Sequence, residues 1–230
     1  MARFEQLHPQ HHGQLRVNVS ANYGFARHWE SLELHMGEWR EVALQQAILF
    51  SRSASGEWQS VAWLPSQRPN CWGAQGQWLA DYVPSLLRLH PFALLPMADG
   101  DSGVCVDVAS PWLSHDRGWP LFEPNGQISA HLVQVMRQLK HWQTRQKSTQ
   151  KFIQSLDRLS LLTPCEQVPA GVEGHSLWQV DRNRLDGLSA AGVLLLRRQA
   201  WLKPIYAHLV SLAHLHSAQR HAPSQAGDSD

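Results

Sequence analysis

The chain has 230 residues and a formal net charge of +1, because 20 lysines and arginines nearly balance 19 aspartates and glutamates. It therefore lacks the basic excess that neutralises nucleic-acid phosphates, and we expect no nucleic acid as a partner. An apolar content of 43% suffices for one large domain, whereas the 11 tryptophans and 14 histidines are high counts that raise the questions of an aromatic binding surface and a metal site.

Both ends of the chain are polar. Residues 1–14 are rich in histidine and residues 217–230 have no large apolar side chain, so we expect flexible ends around a single domain of residues 15–216. The start lacks the apolar stretch of a secretory signal, and no apolar run approaches the roughly 20 residues of a membrane-spanning helix. Cys71, Cys105 and Cys165 fit neither a disulfide framework nor a zinc knuckle. These features predict a cytoplasmic protein without membrane insertion.

The first half of the chain has the pattern of short strands joined by turns. Residues 47–52 and 58–64 are apolar runs around a glycine-containing turn, which predicts a hairpin. Residues 92–97 and 104–108 flank a second turn, and Val104, Val106 and Val108 alternate as one face of a strand does. Between the two pairs, residues 82–89 have helical spacing.

The second half changes to helical spacing. Apolar residues at three- and four-residue steps predict a long helix over residues 129–161, which at about 1.5 Å per residue is too long for a compact domain to cover throughout, so we expect it to meet a protein partner or to kink near Gln146. Residues 188–216 predict two further helices that meet near Lys203–Pro204. The expected fold class is α+β, with antiparallel hairpins forming a small sheet in the N-terminal half, packed against the long helix and C-terminal helices.

Several segments in order along the chain resemble the blocks of the bacterial SapC family, over roughly residues 19–216. The matching blocks are Asn22–Trp29, Asp81–Phe92, Val104–Val108, Pro120–Gly126, Thr149–Leu162, Leu177–Leu188 and Tyr206–Leu212. The resemblance implies a cytoplasmic accessory role in a biosynthetic or nutrient-use gene cluster. The family's name suggests a surface-layer association as a further alternative, and the resemblance supplies no catalytic residues.

Two segments carry candidate polar site residues. His28 and Glu30 have the His-x-carboxylate spacing of non-haem iron oxygenases, which would need a second histidine such as His90, His115 or His208. A structural reading is that Arg27 and His28 make hydrogen bonds near the sheet, and that His208 is a satisfied, half-buried histidine.

Asp107, at the end of a predicted strand, is the carboxylate whose position most resembles a site, although capping the next turn is the commoner use of such a residue. Ser110 and Ser114 lie near His115 and are candidate nucleophiles. The Gly-x-Ser-x-Gly elbow, the phosphate-binding loop and the dinucleotide glycine motif do not occur. These absences favour a binding role over catalysis.

Three tryptophans are candidates for a binding surface. Trp72 and Trp78 lie among glycines and amides, and Trp119 lies in a later loop, so the three indoles are candidates for stacking on a glycan or an aromatic ligand or for contacting a protein. Covering the edge of a sheet is the alternative role. The sequence thus favours a non-catalytic binding protein without a cofactor or a metal, with the metal-dependent oxygenase as the alternative.

Overall fold

The computed structural model describes residues 2–53, 55–64, 71–73, 75–97, 102–168 and 176–215. Two 3-10 helices, Gly24–Ala26 and Met36–Glu38, accompany strands and α-helices that occur in the following chain order: β1 (Phe4–Gln6), α1 (Pro9–His12), β2 (Arg16–Val17), β3 (Ser31–Leu34), α2 (Trp39–Val42), β4 (Ile48–Arg52), β5 (Trp58–Trp63), α3 (Ser85–Leu89), β6 (Phe92–Pro96), β7 (Ser102–Asp107), β8 (Leu113–Ser114), β9 (Trp119–Pro120), α4 (Ala130–Arg158), β10 (Leu162–Pro164), β11 (Trp178–Val180), α5 (Arg182–Asp186), α6 (Ala190–Arg198) and α7 (Leu202–Ser211). The α+β class is confirmed.

The chain divides into two compact units, each assembled from two separate segments. Unit 1 comprises Met1–Trp29 and Pro69–Ser148, and unit 2 comprises Glu30–Arg68 and Thr149–Asp230. The single domain over residues 15–216 stays a prediction, and the expected flexible tail, residues 217–230, lies outside the described residues.

Unit 1 contains two three-stranded antiparallel sheets. The first has the order β1-β7-β6, and its β6–β7 pair confirms the hairpin predicted for residues 92–97 and 104–108. The second has the order β8-β2-β9, in which Val17 of the central strand pairs with Leu113 on one side and Trp119 on the other. The short helix expected within residues 82–89 is α3. These elements bring the N-terminal segment beside the loops that follow β7.

The N-terminal segment that the sequence predicts to be flexible contains β1 and α1. β1 pairs along its length with β7, and α1 follows it with His8 as its N-cap. Burial of apolar side chains is not what holds β1, since Phe4 is 41% exposed. The ladder of backbone hydrogen bonds to β7 holds it, and a side-chain pattern does not reveal such a ladder.

Unit 2 is built on a five-stranded antiparallel sheet with the order β10-β11-β4-β5-β3. Its β4–β5 pair confirms the hairpin predicted for residues 47–52 and 58–64. Trp39 is fully buried and lies 5.6 Å from Phe50 and 5.5 Å from Phe152, measured between ring centroids. This aromatic contact joins α2, β4 and the end of α4 in one core.

Helix α4 spans Ala130–Arg158, close to the predicted 129–161, and its residues up to Ser148 belong to unit 1 while the remainder belong to unit 2. The buried positions recur at helical spacing over its whole length: Leu132, Val135, Leu139, Gln146, Thr149, Phe152, Ile153 and Leu156. From Arg137 to Lys151 every exposed residue is polar. The long helix therefore offers no apolar stripe to a protein partner over this stretch.

Within the described part of the chain, no helix has both the length and the apolarity that crossing a membrane requires.

The two C-terminal helices predicted to meet near Lys203–Pro204 are α6 and α7, which meet at residues 199–201. α6 ends at Arg198 and α7 begins at Leu202, with Ala200 between them in the left-handed region at φ 56°. Pro204 lies in the first turn of α7, where a missing N–H removes no helical hydrogen bond. The proline is therefore compatible with the helix, and the left-handed residue terminates the preceding one.

Candidate ligand-binding site

Unit 1 contains a cleft of about 370 Å³ between its N-terminal segment and the loop that follows β7. It is lined by Glu5, His11, His12, Leu15, Val108, Ser110, Leu113, Ser114 and His115. Three imidazoles, two hydroxyls and one carboxylate thus meet at a cavity whose volume lies within the range of small-molecule sites.

Helix α1 fixes one wall of the cleft through a short chain of histidine contacts. The backbone N–H of His8 donates to Nδ1 of His12 at 3.1 Å, so the hydrogen of a neutral His12 ring lies on Nε2. That Nε2 lies 3.4 Å from a carboxylate oxygen of Glu5, while Arg3 lies 3.3 Å from the other carboxylate oxygen. The Glu5 carboxylate is therefore held beside a buried imidazole at the edge of the cleft.

The opposite wall contains a serine–histidine contact. Ser110 Oγ lies 2.7 Å from Nε2 of His90 and also accepts the backbone N–H of Trp112 at 3.1 Å. Phe25 stacks on the His90 ring at 3.7 Å between centroids with an interplanar angle of 16°, and Trp112 contacts the ring by its edge. Burial lowers the pKa of His90 to about 4, against the opposing effect of the Asp107 carboxylate. His90 is therefore neutral at pH 7.

Asp107 is buried at the end of β7 and serves the backbone. Its Oδ1 accepts the N–H of Ala109 at 3.1 Å, which caps the turn, and the N–H of Arg3 at 2.7 Å, which ties the start of the chain to this turn. These contacts match the turn-capping role of a carboxylate after a strand.

The Ser110–His90 pair is poorly suited to acyl transfer. A general base works best when its pKa lies near the operating pH, and an imidazole with a pKa of about 4 is a weak base at pH 7. Ser110 is only 7% exposed, and its oxygen is already engaged by a turn amide. The Ser110–His90 contact therefore acts as a rigid part of the wall. Among the described residues, no group of three or more His, Cys, Asp or Glu side chains is arranged to hold a metal ion.

Comparison with known proteins identifies the family. A model of the SapC family matches residues 7–217. This chain belongs to the SapC family. No curated protein and no solved structure matches it. The match to the family covers both segments that line the cleft, except for Glu5.

The tryptophans singled out in this SapC-family sequence have different environments. Trp72 and Trp78 form a bridge and contact each other edge to face at 4.9 Å, and the Trp78 indole N–H donates to the carbonyl of Tyr82. Trp119 is 64% exposed and stacks on His131 at 6.0 Å with an interplanar angle of 11°. Burial lowers the pKa of His131, which favours the neutral form of the ring beneath Trp119. Trp119 is the candidate with an indole open to solvent.

Of the remaining predicted site residues, Arg27, His28 and His208 do not line the cleft. Arg27 and His28 are exposed at the end of the 3-10 helix Gly24–Ala26. His208 belongs to unit 2, where it is fully buried, accepts the backbone N–H of Val180 at 3.0 Å and stacks on Phe50 at 4.7 Å. Burial lowers the pKa of His208 to about 3. His115 lies in the cleft, with Ser110 and Ser114 on the same wall.

Sequence reasoning missed two features of the cleft. His11 and His12 were assigned to a flexible tail, whereas α1 places them against Glu5 and the loop after β7. Ser110 was expected near His115, which lines the same cleft, but its contact with His90 was not predicted. One sequence signal could have indicated the wall of the cleft. Asp107 and Ser110 are two turn-capping residues three positions apart, and such a pair indicates a tight turn that holds side chains close to the end of a strand.

Proposed function

We propose that this SapC-family chain is a non-catalytic binding protein whose site is the unit 1 cleft and whose ligand is a small hydroxyl-rich molecule such as a glycan. The observation that carries the proposal is the composition of the cleft wall, in which imidazoles and hydroxyls outnumber groups of fixed charge. Imidazole and hydroxyl groups both donate and accept hydrogen bonds, as ligand hydroxyls do.

The apolar members of the wall fit the same ligand class. Leu15, Val108 and Leu113 provide carbon surface between the polar groups. A sugar ring presents C–H faces as well as hydroxyl edges, so a mixed wall matches it better than a purely charged wall does. The single carboxylate, Glu5, already has Arg3 and His12 beside it, and it is therefore available as a hydrogen-bond acceptor and not as an unpaired charge.

Trp119 provides a stacking surface in the same small sheet. Leu113 of the cleft wall and Trp119 both pair with Val17, so their side chains share one face of the β8-β2-β9 sheet and their Cα atoms are about 10 Å apart. An exposed indole that rests on His131 presents its other face to solvent. Stacking on such a face is a common mode of sugar recognition, and it supports a ligand longer than the cleft alone accommodates.

The test is a glycan array followed by calorimetric titration of the saccharides it retains. We expect the wild-type chain to bind at least one saccharide, and we expect His115→Ala to lower the affinity about three- to tenfold through loss of a hydrogen bond. Trp119→Ala should lower it about tenfold. His141→Ala removes an exposed imidazole on α4, outside the cleft, and is the matched control.

Two results would refute the assignment of the site. One is an array that retains no saccharide although the protein is folded by circular dichroism. The other is binding that survives both His115→Ala and Trp119→Ala, or that falls equally with the His141→Ala control. Turnover of a retained saccharide would refute the non-catalytic part of the proposal while leaving the site in place.

A cytoplasmic accessory role in a biosynthetic or nutrient-use gene cluster is part of the same proposal. Cys105 and Cys165 are buried thiols without a disulfide, which suits a reducing compartment. Cell fractionation at high salt, which releases proteins that are bound to membranes by charge, should recover the protein with a cytosolic marker. Recovery with the cell-surface layer would instead favour the surface-layer association that the family name suggests.

A further inference from the structure

Helix α6 in unit 2 exposes apolar side chains on the side that faces away from the core. A helix that packs against a core by one face normally has polar side chains on the opposite face. Only Gly192 and Leu196 are buried, while Val193, Leu194 and Leu195 are 44%, 45% and 41% exposed. Each helical residue turns by about 100°, so Leu194 lies about 200° from both buried residues and points away from the core. Ala190 and Ala191, one turn earlier, are also exposed.

Basic residues cluster at the C-terminal end of this apolar helix. Arg197 and Arg198 occupy its last turn and are exposed, and Lys203 follows in the first turn of α7. Residues 181–203 contain five lysines and arginines against two aspartates, although the whole chain has a net charge of only +1. The charge complementary to this segment is negative.

We propose that α6 lies on the surface of an anionic phospholipid membrane, with Leu194 and its apolar neighbours in the interface and Arg197 and Arg198 at the lipid phosphates. This mode of binding places a short helix in the plane of the interface and needs no spanning segment. It is independent of the ligand proposed for unit 1, since every residue involved belongs to unit 2.

The distribution of the apolar residues favours a lipid surface over a protein groove. A helix that docks into a groove presents anchors at positions i, i+3, i+4 and i+7 along one narrow stripe. The exposed apolar residues Val193, Leu194 and Leu195 are consecutive, so they cover an arc of about 200° that includes the top and both flanks of the helix. A helix that sinks into a lipid interface is in contact with lipid over the whole of such an arc.

Helix α7 adds a second exposed apolar pair of the same character. Tyr206 and Val210, one turn apart, are 57% and 63% exposed, and Lys203 precedes them on the helix. Tyrosine is enriched where one end of a side chain is apolar and the other is hydrated, as at a membrane boundary. This pair gives α7 an exposed apolar surface of the same kind as that of α6.

The test is flotation of the full chain with vesicles of phosphatidylcholine alone and with vesicles in which part of it is replaced by phosphatidylglycerol. We expect binding to the anionic vesicles only, and we expect it to weaken with added salt. The double variant Arg197→Gln/Arg198→Gln and the variant Leu194→Glu should each lower the partition coefficient about tenfold or more. The control variants Arg158→Gln and Leu44→Ser remove an exposed arginine and an exposed leucine elsewhere in unit 2. Each should leave the partition coefficient unchanged.

Absence of flotation with anionic vesicles would overturn the proposal, as would equal binding to both vesicle types or equal loss in the control variants. Sedimentation velocity of the wild-type chain and Leu194→Glu identifies the competing occupant. A dimer that dissociates in the variant would mean that a second copy covers α6, which also overturns the lipid assignment. None of these outcomes depends on whether unit 1 binds a saccharide.

Discussion

At the scale of single residues, Ser110 satisfies two buried polar groups at once. Its hydroxyl lies against Nε2 of His90 and accepts the N–H of Trp112, so one small side chain links a histidine before β6 to the turn after β7. Phe25 and Trp112 cover the imidazole, which leaves it without ready access to water. A buried polar group without a partner is costly, and this makes Ser110 a structural residue of the cleft wall.

Ser110→Ala is therefore expected to lower the free energy of unfolding by about 1–3 kcal/mol, because His90 loses its partner and the Trp112 amide loses its acceptor. Urea unfolding followed by tryptophan fluorescence measures the change. Ser148→Ala, at an exposed position of α4, is the matched control and should stay within about 0.5 kcal/mol of the wild type. Equal unfolding midpoints for the two variants would contradict the structural role.

At the scale of elements, the sequence predicted the helices and hairpins whose formation depends on residues close together in the chain. The β4–β5 and β6–β7 hairpins and helix α4 follow from alternation, turn residues and helical spacing within one stretch of chain. The pairing of β1 with β7 joins residues about a hundred positions apart through backbone hydrogen bonds, which no side-chain pattern encodes.

The same distinction applies to the candidate site. Asp107 was predicted as a candidate site carboxylate with turn capping as the commoner alternative, and the structure shows the capping contact, which is local. Trp119 was predicted as a candidate surface residue from its sequence neighbours, and it is exposed. The contact between Ser110 and His90 crosses 20 positions, and the approach of α1 to the loop after β7 crosses many more. The cleft therefore required the tertiary structure.

Gly118 provides a test of the sheet that carries Trp119. Its φ is 96°, and a Cβ at this position would overlap the carbonyl group of Val17 in the neighbouring strand. Gly118→Ala should lower the free energy of unfolding by more than the roughly 1 kcal/mol that a left-handed alanine costs alone. Gly126 has a φ of 80° and no atom within 4 Å of such a Cβ, so Gly126→Ala is the matched control for the backbone effect.

Thermal unfolding of the two glycine variants separates the effect of the left-handed backbone from the effect of the overlap with Val17. A lower midpoint for Gly118→Ala than for Gly126→Ala isolates the steric contact between β2 and the start of β9. Equal midpoints would show that the backbone at Gly118 moves away from Val17 at little cost. In that case the sheet would be too compliant to hold Trp119 at a fixed distance from the cleft.

At the scale of the whole molecule, each unit contains a buried neutral imidazole. His90 in unit 1 and His208 in unit 2 have pKa values lowered by burial to about 4 and about 3. The unfolded chain returns both rings to the ordinary pKa near 6.5. At a pH between the pKa of a ring in the folded chain and its pKa in the unfolded chain, the unfolded chain binds a proton that the folded chain does not. The free energy of unfolding therefore falls as the pH decreases from about 6.5 towards 4.

This pH dependence is measurable between pH 6.5 and 5, above the range in which ordinary carboxyl groups titrate. We expect the unfolding midpoint to fall across this window, and we expect His90→Gln and His208→Gln each to flatten the slope, because glutamine does not bind a proton. His141→Gln changes an exposed ring and should preserve the slope. The slope is the informative quantity, since His208→Gln also removes a stack on Phe50 and lowers stability at every pH. An unchanged slope in both buried variants would mean that these rings reach water in the folded chain, and the rigid wall inferred for the cleft would then have to be given up.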